Sequence, residues 1–288
     1  MKKETSSMKR NRFISNTIVH IILTILSIIW LFPVVWIVLE SFNAKPDSGS
    51  NSFFPQHGLS LNNYIQLITD TRQFYFLRWF GNTLLVAIGT CILSTFYVLC
   101  ISYSLSRLRF NGRKALMNIG LILNMFPAFM SMIAVYYILK GIGVTESLAS
   151  LVFVYSAGQA LQYHIAKGFF DTIPRAVDEA ARIDGATRFQ IFYKITIPMS
   201  KPILIYTVLT SFMAPWLDFI FAKVILGTNY KKYTVAIGLW TMMQKEYIST
   251  WYGRFTAGAV LVSIPISLLF IFMQKYYVEG MSAGAVKG

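Results

Sequence analysis

Acidic residues are scarce in this chain. Twelve Asp and Glu stand against 26 Lys and Arg in 288 residues, and charged residues make up only 13%. Soluble domains carry about 25%, so a water-facing surface cannot cover this whole chain. The deficit accompanies apolar runs long enough to cross a bilayer, which takes about 20 residues each. One membrane domain with little soluble mass follows. The net charge of +14 does not imply nucleic acid. No aromatic-and-basic binding module and no finger-type metal spacing occurs, and the positive-inside rule accounts for the surplus. Histidine is rare as well. His20, His57 and His164 are scattered and form no metal-ligand spacing and no paired acid–base set. Cys91 and Cys100 are the two cysteines. Nine helical positions separate them by about 13 Å, too far for a disulfide, so they read as small core or lipid-depth residues. No GxxxxGKS or GxxxxGKT phosphate loop is present. No repeat of fixed period and no low-complexity tract occurs either.

What is present is a series of apolar spans. A basic stretch (Lys2, Lys3, Lys9, Arg10, Arg12) precedes an apolar run of about 22 residues from Ile18. A cleavable signal has a shorter apolar region, about 7–15 residues, and a small-residue cleavage site, so this run reads as an uncleaved first membrane helix. Six spans are expected, at roughly 18–39, 80–105, 115–139, 148–166, 202–222 and 255–274. Each must be helical, because unpaired backbone in lipid is too costly. Kinks are expected at Pro33, Pro127, Pro215 and Pro265. With the N-terminus inside, the inner segments hold 17 Lys and Arg and the outer ones nine. That bias puts both termini on the cytoplasmic side. The fold class is an all-α integral membrane protein with six transmembrane helices. It divides into an N-tail (1–17), a spanning domain (18–274) and a C-tail (275–288).

Two outer segments are long. Residues 40–79 hold Pro46, Pro55 and the polar run DSGSNS, so much of this segment reads as loop. Residues 223–254 hold Tyr230, Tyr233, Trp240, Tyr247, Trp251 and Tyr252. These read either as an aromatic belt at the membrane interface or as a surface that grips a partner or a sugar. Asp218 is an intramembrane charge, about 24 Å along the fifth span at 1.5 Å per residue. Such groups are functional candidates. It reads either as an interfacial Asp, in a turn or paired with Lys223, or as a residue of a translocation path.

The inner loop 167–201 is the most informative stretch. Pro174 can open a helix, where its missing N–H costs nothing. Ala176, Val177, Ala180, Ala181 and Ile183 supply a small apolar face, and Asp178 and Glu179 suit the helix dipole. Gly185 reads as a left-handed cap. A second helix with Phe189, Ile191, Phe192 and Ile195 follows, until Pro198 and Pro202 redirect the chain. The Ala-Ala pair allows close backbone approach, Glu179 could pair with a cation, and Gly185 permits a sharp reversal. A short rigid helix held between spans makes a good lever.

EAARIDGATRFQIFYKITIP at 179–198 resembles the "EAA" motif of the membrane subunits of ABC importers. The likeness departs once, at Ile197, where Leu is usual. WFGNTLLVA at 79–87, ISYSLSRLRFNGR at 101–113 and MQKYYVEGMSAGAVKG at 273–288 are similar to sugar-importer permeases. APWLDFIFAKVIL at 214–226 and YTVAIGLWTM at 233–242 are similar to the maltose/maltodextrin, MalG-type branch. The resemblance implies a type I ABC importer (MetI-like) permease fold and a bacterial plasma-membrane location. It implies a transport subunit that does no chemistry and holds no cofactor. Expected partners are a homologous second permease, two ATPase subunits carrying ATP and Mg, an extracellular sugar-binding protein and the lipid bilayer. It assigns ATPase coupling to Glu179, Ala180, Ala181, Asp184, Gly185, Ile195 and Pro198. It places Tyr233, Trp240, Tyr247 and Trp251 toward the binding protein, and the Gly280–Gly288 tail between the ATPases. Sugar contacts in those relatives fall mainly on the partner permease. An ion-gradient carrier is the alternative, but such carriers show repeated halves and midplane carboxylates, which are not seen. A membrane enzyme would need a clustered catalytic set, also not seen.

Overall fold

The computed structural model describes residues 6–46, 52–55 and 57–285. Fourteen α-helices carry the chain: α1 (Ser6–Ser41), α2 (Asn62–Thr69), α3 (Phe76–Arg107), α4 (Arg113–Met125), α5 (Ala128–Gly141), α6 (Leu148–Ala157), α7 (Ala160–Asp171), α8 (Arg175–Ile183), α9 (Arg188–Ile191), α10 (Ile197–Met199), α11 (Lys201–Leu217), α12 (Ile220–Leu226), α13 (Val235–Met242) and α14 (Ile248–Ala285). Among the described residues the only extended pairing is one antiparallel bridge, Asn43 with Leu59. Three stretches, Phe13–Ser41, Phe76–Arg107 and Ile248–Lys275, are long and apolar enough to cross a membrane unbroken.

The other three expected spans are interrupted. Between α4 and α5 the chain turns by 107° at Pro127, which caps α5 and biases Phe126 to extended backbone. Gly158 and Gln159 separate α6 from α7. The fifth expected span ends as α11 at Leu217, and α12 begins at Ile220. Pro33 and Pro265 lie inside continuous helices, α1 and α14.

The chain divides into two compact units. The first holds residues up to Thr69 together with 242–260. Its organiser is Asn63, whose amide donates to the Ser41 and Asn43 carbonyls at 3.0 and 2.9 Å. Ser41 also meets the Tyr64 hydroxyl at 2.6 Å, and Arg254 donates to Gln66 at 2.7 Å. No residue in the most apolar window of α1 is buried by the rest of the chain, as expected of a helix that faces lipid. The polar run at 47–51, Met1–Thr5 and Val286–Gly288 lie outside the described residues, so of the expected Gly280–Gly288 tail only the helical backbone to Ala285 is described.

The second unit holds 70–241 and 261–288. Its spine is α3, which packs against α6, α7 and α11. The buried face of α3 is lined with small polar residues, Thr83, Thr90, Ser94, Ser102 and Ser106. Small side chains let helix backbones approach closely where there is no hydrophobic drive between helices. The Ser102 hydroxyl donates to the Tyr163 carbonyl of α7 at 3.0 Å, and Gln162 of α7 donates to Thr210 of α11 at 2.9 Å. At one end of α3 a core of Val98, Leu99, Tyr103, Ala166, Phe170, Ile173 and Ile203 joins α3, α7 and α11.

Candidate functional site

The inner loop forms α8 and then a second helical piece that begins with α9. Pro174 stands at the N-cap of α8, one position earlier than a first-turn residue, and Arg175 opens the helix. The alanines supply the helix propensity. The helix ends in a Schellman motif: the Ala186 N–H donates to the Ala181 carbonyl at 2.9 Å and the Gly185 N–H to the Arg182 carbonyl at 3.0 Å. Both satisfy carbonyls that the helix end leaves open. The motif needs a left-handed residue, and Gly185 has φ +82°. Nothing lies within 4 Å of where its Cβ would stand, so glycine is required for conformation and not for space. Gly185→Ala is therefore expected to destabilise the loop by about 1–2 kcal/mol, with Gly185→Asn milder, since Asn visits this region most readily after Gly. Hydrogen exchange of the Ala186 amide checks this.

Thr187 then closes a capping box with Gln190, which starts α9. A π-helical turn, Phe192–Thr196, separates α9 from α10. Pro198 lies within α10; it has no N–H to donate, which removes a ladder bond where the register loosens. The chain then bends by 80° into α11, with Pro202 in its first turn.

The end of α3 holds this loop at three points. Arg107 donates to the Ile173 carbonyl at 3.0 Å and pairs with Asp178 of α8 at 3.3 Å, the two side chains being 4% and 7% exposed. Ser106 donates to Asp171 at 2.6 Å, and Lys167 pairs with the same carboxylate. The Tyr103 hydroxyl reaches the Arg188 carbonyl at 3.4 Å. Burial pushes the Asp171 carboxyl up, but the hydrogen bonds from Lys167 and Ser106 outweigh it and hold it below its ordinary value. Its share of loop anchoring is thus complete at neutral pH, and is lost only as pH falls through that lowered value.

The residues singled out in the EAA stretch divide between two faces. Glu179, Ala180, Asp184, Gly185 and Pro198 are exposed, and Ile195 is half-buried. Ala181 is buried within this chain, so of the alanine pair only Ala180 offers a bare backbone to a partner. Asp178, read above as a complement to the dipole, is a buried ion-pair member. Two large apolar side chains stand out from the loop, Ile183 at 87% and Phe189 at 73% exposure.

The far end of α3 fastens the segment before α13. Trp79 donates to the Tyr230 carbonyl at 2.6 Å, Asn82 to the Lys231 and Tyr233 carbonyls at 3.0 Å, and the Val235 N–H to the Thr83 hydroxyl at 2.8 Å. The expected aromatic surface is largely interior. Tyr233 is 1% exposed and accepts from Lys223. Trp251 is 4% exposed under the Arg254 guanidinium, and Tyr247 is half-buried. Only Trp240 of the four presents a large open ring, 44% exposed and packed on Phe219 at 4.6 Å. Aromatic rings bury well when their polar tips find partners, and the sequence does not show that these do.

Asp218 sits at the break between α11 and α12. It accepts the Phe221 and Ala222 N–H groups at 3.2 and 2.9 Å and the Tyr155 hydroxyl. Lys223, a candidate partner, goes to Tyr233 instead. The carboxylate caps α12 and ties it to α6. Asp218→Ala is expected to cost about 1–2 kcal/mol, the usual loss for a helix cap, and Asp218→Asn less; thermal unfolding in detergent checks the order. Normal sugar uptake by Asp218→Asn would remove a path role.

Residues 100–283 match the family model described as the binding-protein-dependent transport system inner membrane component. The chain belongs to this family. It is 32% identical to the galactooligosaccharide transport permease GanQ of Bacillus subtilis, over 98% of this chain and 99% of that protein. It is 34% identical to the maltodextrin transport permease MdxG of the same organism, over 96% and 98%. A solved structure of a bacterial ABC transporter involved in import of the acidic polysaccharide alginate shares the fold, with a TM-score of 0.79 at 21% identity over 96% of this chain and 100% of that one. The chain is thus a permease subunit of an ABC importer, a transport component of the membrane and not an enzyme. Membership sets aside the ion-gradient carrier.

Sequence reading missed the anchors. In the sequence Arg107 is one inner-side charge among several, and no local pattern marks Asp171. The one signal is the first Arg to close a long apolar run within ISYSLSRLRFNGR; its partner lies 71 positions on, a separation that no local pattern encodes.

Proposed function

We propose that this chain forms half of the translocation path for a neutral oligosaccharide of the maltodextrin class, driven by a separate ATPase that docks on α8. The observation that carries the docking is the exposed Glu179, Ala180 and Ile183 on a short helix locked at both ends. A rigid element with an uncovered face transmits a push; a flexible one would absorb it. The names of GanQ and MdxG support the sugar class. A second permease completes the path, ATP and Mg act on the ATPases, and both termini lie in the cytoplasm. An extracellular sugar-binding protein delivers the sugar, a reading supported by a structural neighbour solved with an oligosaccharide-bound periplasmic protein.

In this reading, closure of the ATPases moves α8. Arg107 and Ser106 pass that motion to α3, which runs about 42 Å from Trp79 to Arg107 and is fastened at its other end to the segment before α13. The path then opens toward the binding protein, and hydrolysis resets it.

The test is a gentle detergent pull-down from native membranes with mass spectrometry, paired with labelled maltodextrin uptake. Wild type should bring down a P-loop ATPase and a second permease, and Glu179→Lys should lose the ATPase while remaining in the membrane. A chain that comes down alone, or uptake that survives Glu179→Lys, would overturn the docking reading. Uptake of galacto-oligosaccharide but not maltodextrin would overturn the sugar assignment.

A further inference from the structure

Beside the turn between α3 and α4 lies a cavity of about 610 Å³. Arg109, Arg113, Lys114 and Lys167 line it, with Phe110 and Met117 as apolar neighbours and no acidic residue in the lining. Lys167 is paired with Asp171. Among the described residues no carboxylate lies within ion-pair distance of Arg109, Arg113 or Lys114, although Asp171 feels the Arg113 charge from farther off. Among the described residues the cavity therefore holds a surplus of positive charge that Asp171 offsets only in part. Below it, α4 presents Leu116, Ile119 and Leu123, all exposed. The first N–H groups of α4 have no side-chain cap and add positive potential at the same place.

We propose that this cavity binds the headgroup of an anionic glycerophospholipid of the inner leaflet, with the acyl chains lying along α4. A diffuse basic surface would attract anionic lipid without holding it. Here the cations converge on a concave site, and the apolar helix begins directly beneath it. Basic pockets between membrane helices on the cytoplasmic side suit such headgroups. A free phosphate would satisfy the charges but leave the apolar face of α4 uncovered. An acidic peptide would have no use for that face either. The site requires only that the α3–α4 turn lie at the inner membrane face; it does not depend on ATPase docking.

The test is native mass spectrometry of the transporter purified in mild detergent. It is titrated separately with phosphatidylglycerol, phosphatidylcholine and inorganic phosphate. Phosphatidylglycerol should be retained at one molecule per copy of this chain, and phosphatidylcholine should not. Retention should weaken about thirtyfold in Arg113→Gln/Lys114→Gln, at about fivefold per basic side chain near an anionic headgroup. The charge-preserving Arg113→Lys/Lys114→Arg should retain it, which separates charge from a folding defect. Lys194→Gln/Lys201→Gln, which removes two exposed charges from the same loop side, should bind as wild type. Equal loss in that control would mean diffuse attraction and overturn the site. Phosphatidylcholine retained as well as phosphatidylglycerol, or phosphate displacing the lipid at equal concentration, would overturn the lipid assignment.

Discussion

Arg107→Ala is expected to stop sugar uptake while leaving the chain in the membrane. The substitution removes the ion-pair partner of the buried Asp178 carboxylate, leaving the more distant charges of Arg175, Arg182 and Arg188 around the same pocket, and breaking such a pair costs up to about 3–5 kcal/mol. That cost falls on the α8 anchor, because the guanidinium also releases the Ile173 carbonyl. The apolar body of α3, which drives insertion, is untouched. Uptake should fall at least tenfold, and the ATPase should no longer co-purify. Limited proteolysis should cut between residues 171 and 188. The partner change Asp178→Ala should behave alike. Arg107→Met/Asp178→Leu supplies the decisive comparison. Two well-packed apolar side chains in place of a buried pair are often neutral or better, so the double variant should recover part of the docking. A double variant no better than either single one would show that the ion pair itself is not what holds α8.

Gly238→Ala is expected to be the most damaging single-methyl change in the chain. Its Cβ would stand 1.9 Å from Trp79 Cε3 and 2.3 Å from Cζ3. Trp79 cannot swing clear. It is fully buried, packs on Phe74 and Tyr233, and its indole N–H is committed to the Tyr230 carbonyl. Overpacking of a filled core costs about 1–3 kcal/mol, occasionally more, and the contact here is with a rigid ring. The α13 backbone would have to move off α3, pulling on the Asn82 and Thr83 hydrogen bonds. Monodisperse protein in detergent should nearly vanish for Gly238→Ala, as read by size exclusion. Trp79→Leu should restore much of it in combination, by removing the ring the methyl strikes. Full yield from Gly238→Ala alone would show that α13 does not sit this close to α3.

The two predictions concern opposite ends of one helix, which is why α3 deserves weight in any account of transport. Trp79, Asn82 and Thr83 fix one segment and Tyr103, Ser106 and Arg107 fix another, with a continuous helix between them. A displacement applied at the Asp178 end has no flexible joint in which to dissipate before it reaches Trp79. Cross-linking of α8 to α3 through a Cys pair would be expected to lock the transporter in one state.

Much of this was legible before any coordinates. Length and apolarity of the runs decided that the chain is helical and membrane-bound, because lipid offers the backbone no other partner. The spacing Glu179-Ala180-Ala181, Gly185, Pro198 decided where the short inner-loop helix and its turn lie, and the left-handed requirement of a Schellman cap explains why Gly185 stands where it does. These are local facts, set by propensity, dihedral preference and the missing N–H of proline, so they survive in one dimension. The tertiary structure alone decided the rest. It broke one expected span at Gly158, whereas the break at Pro127 falls where the sequence already placed a kink; it turned Ala181 inward, buried Tyr233 and Trp251, and gave Asp218 to the α12 N–H groups. It also joined Arg107 to Asp178 across 71 positions. Each of these depends on which hydrogen-bond partner or packing neighbour arrives from a distant segment, and a buried polar group takes whichever partner is there because leaving it unpaired in a low-dielectric interior costs more than any local preference can offset.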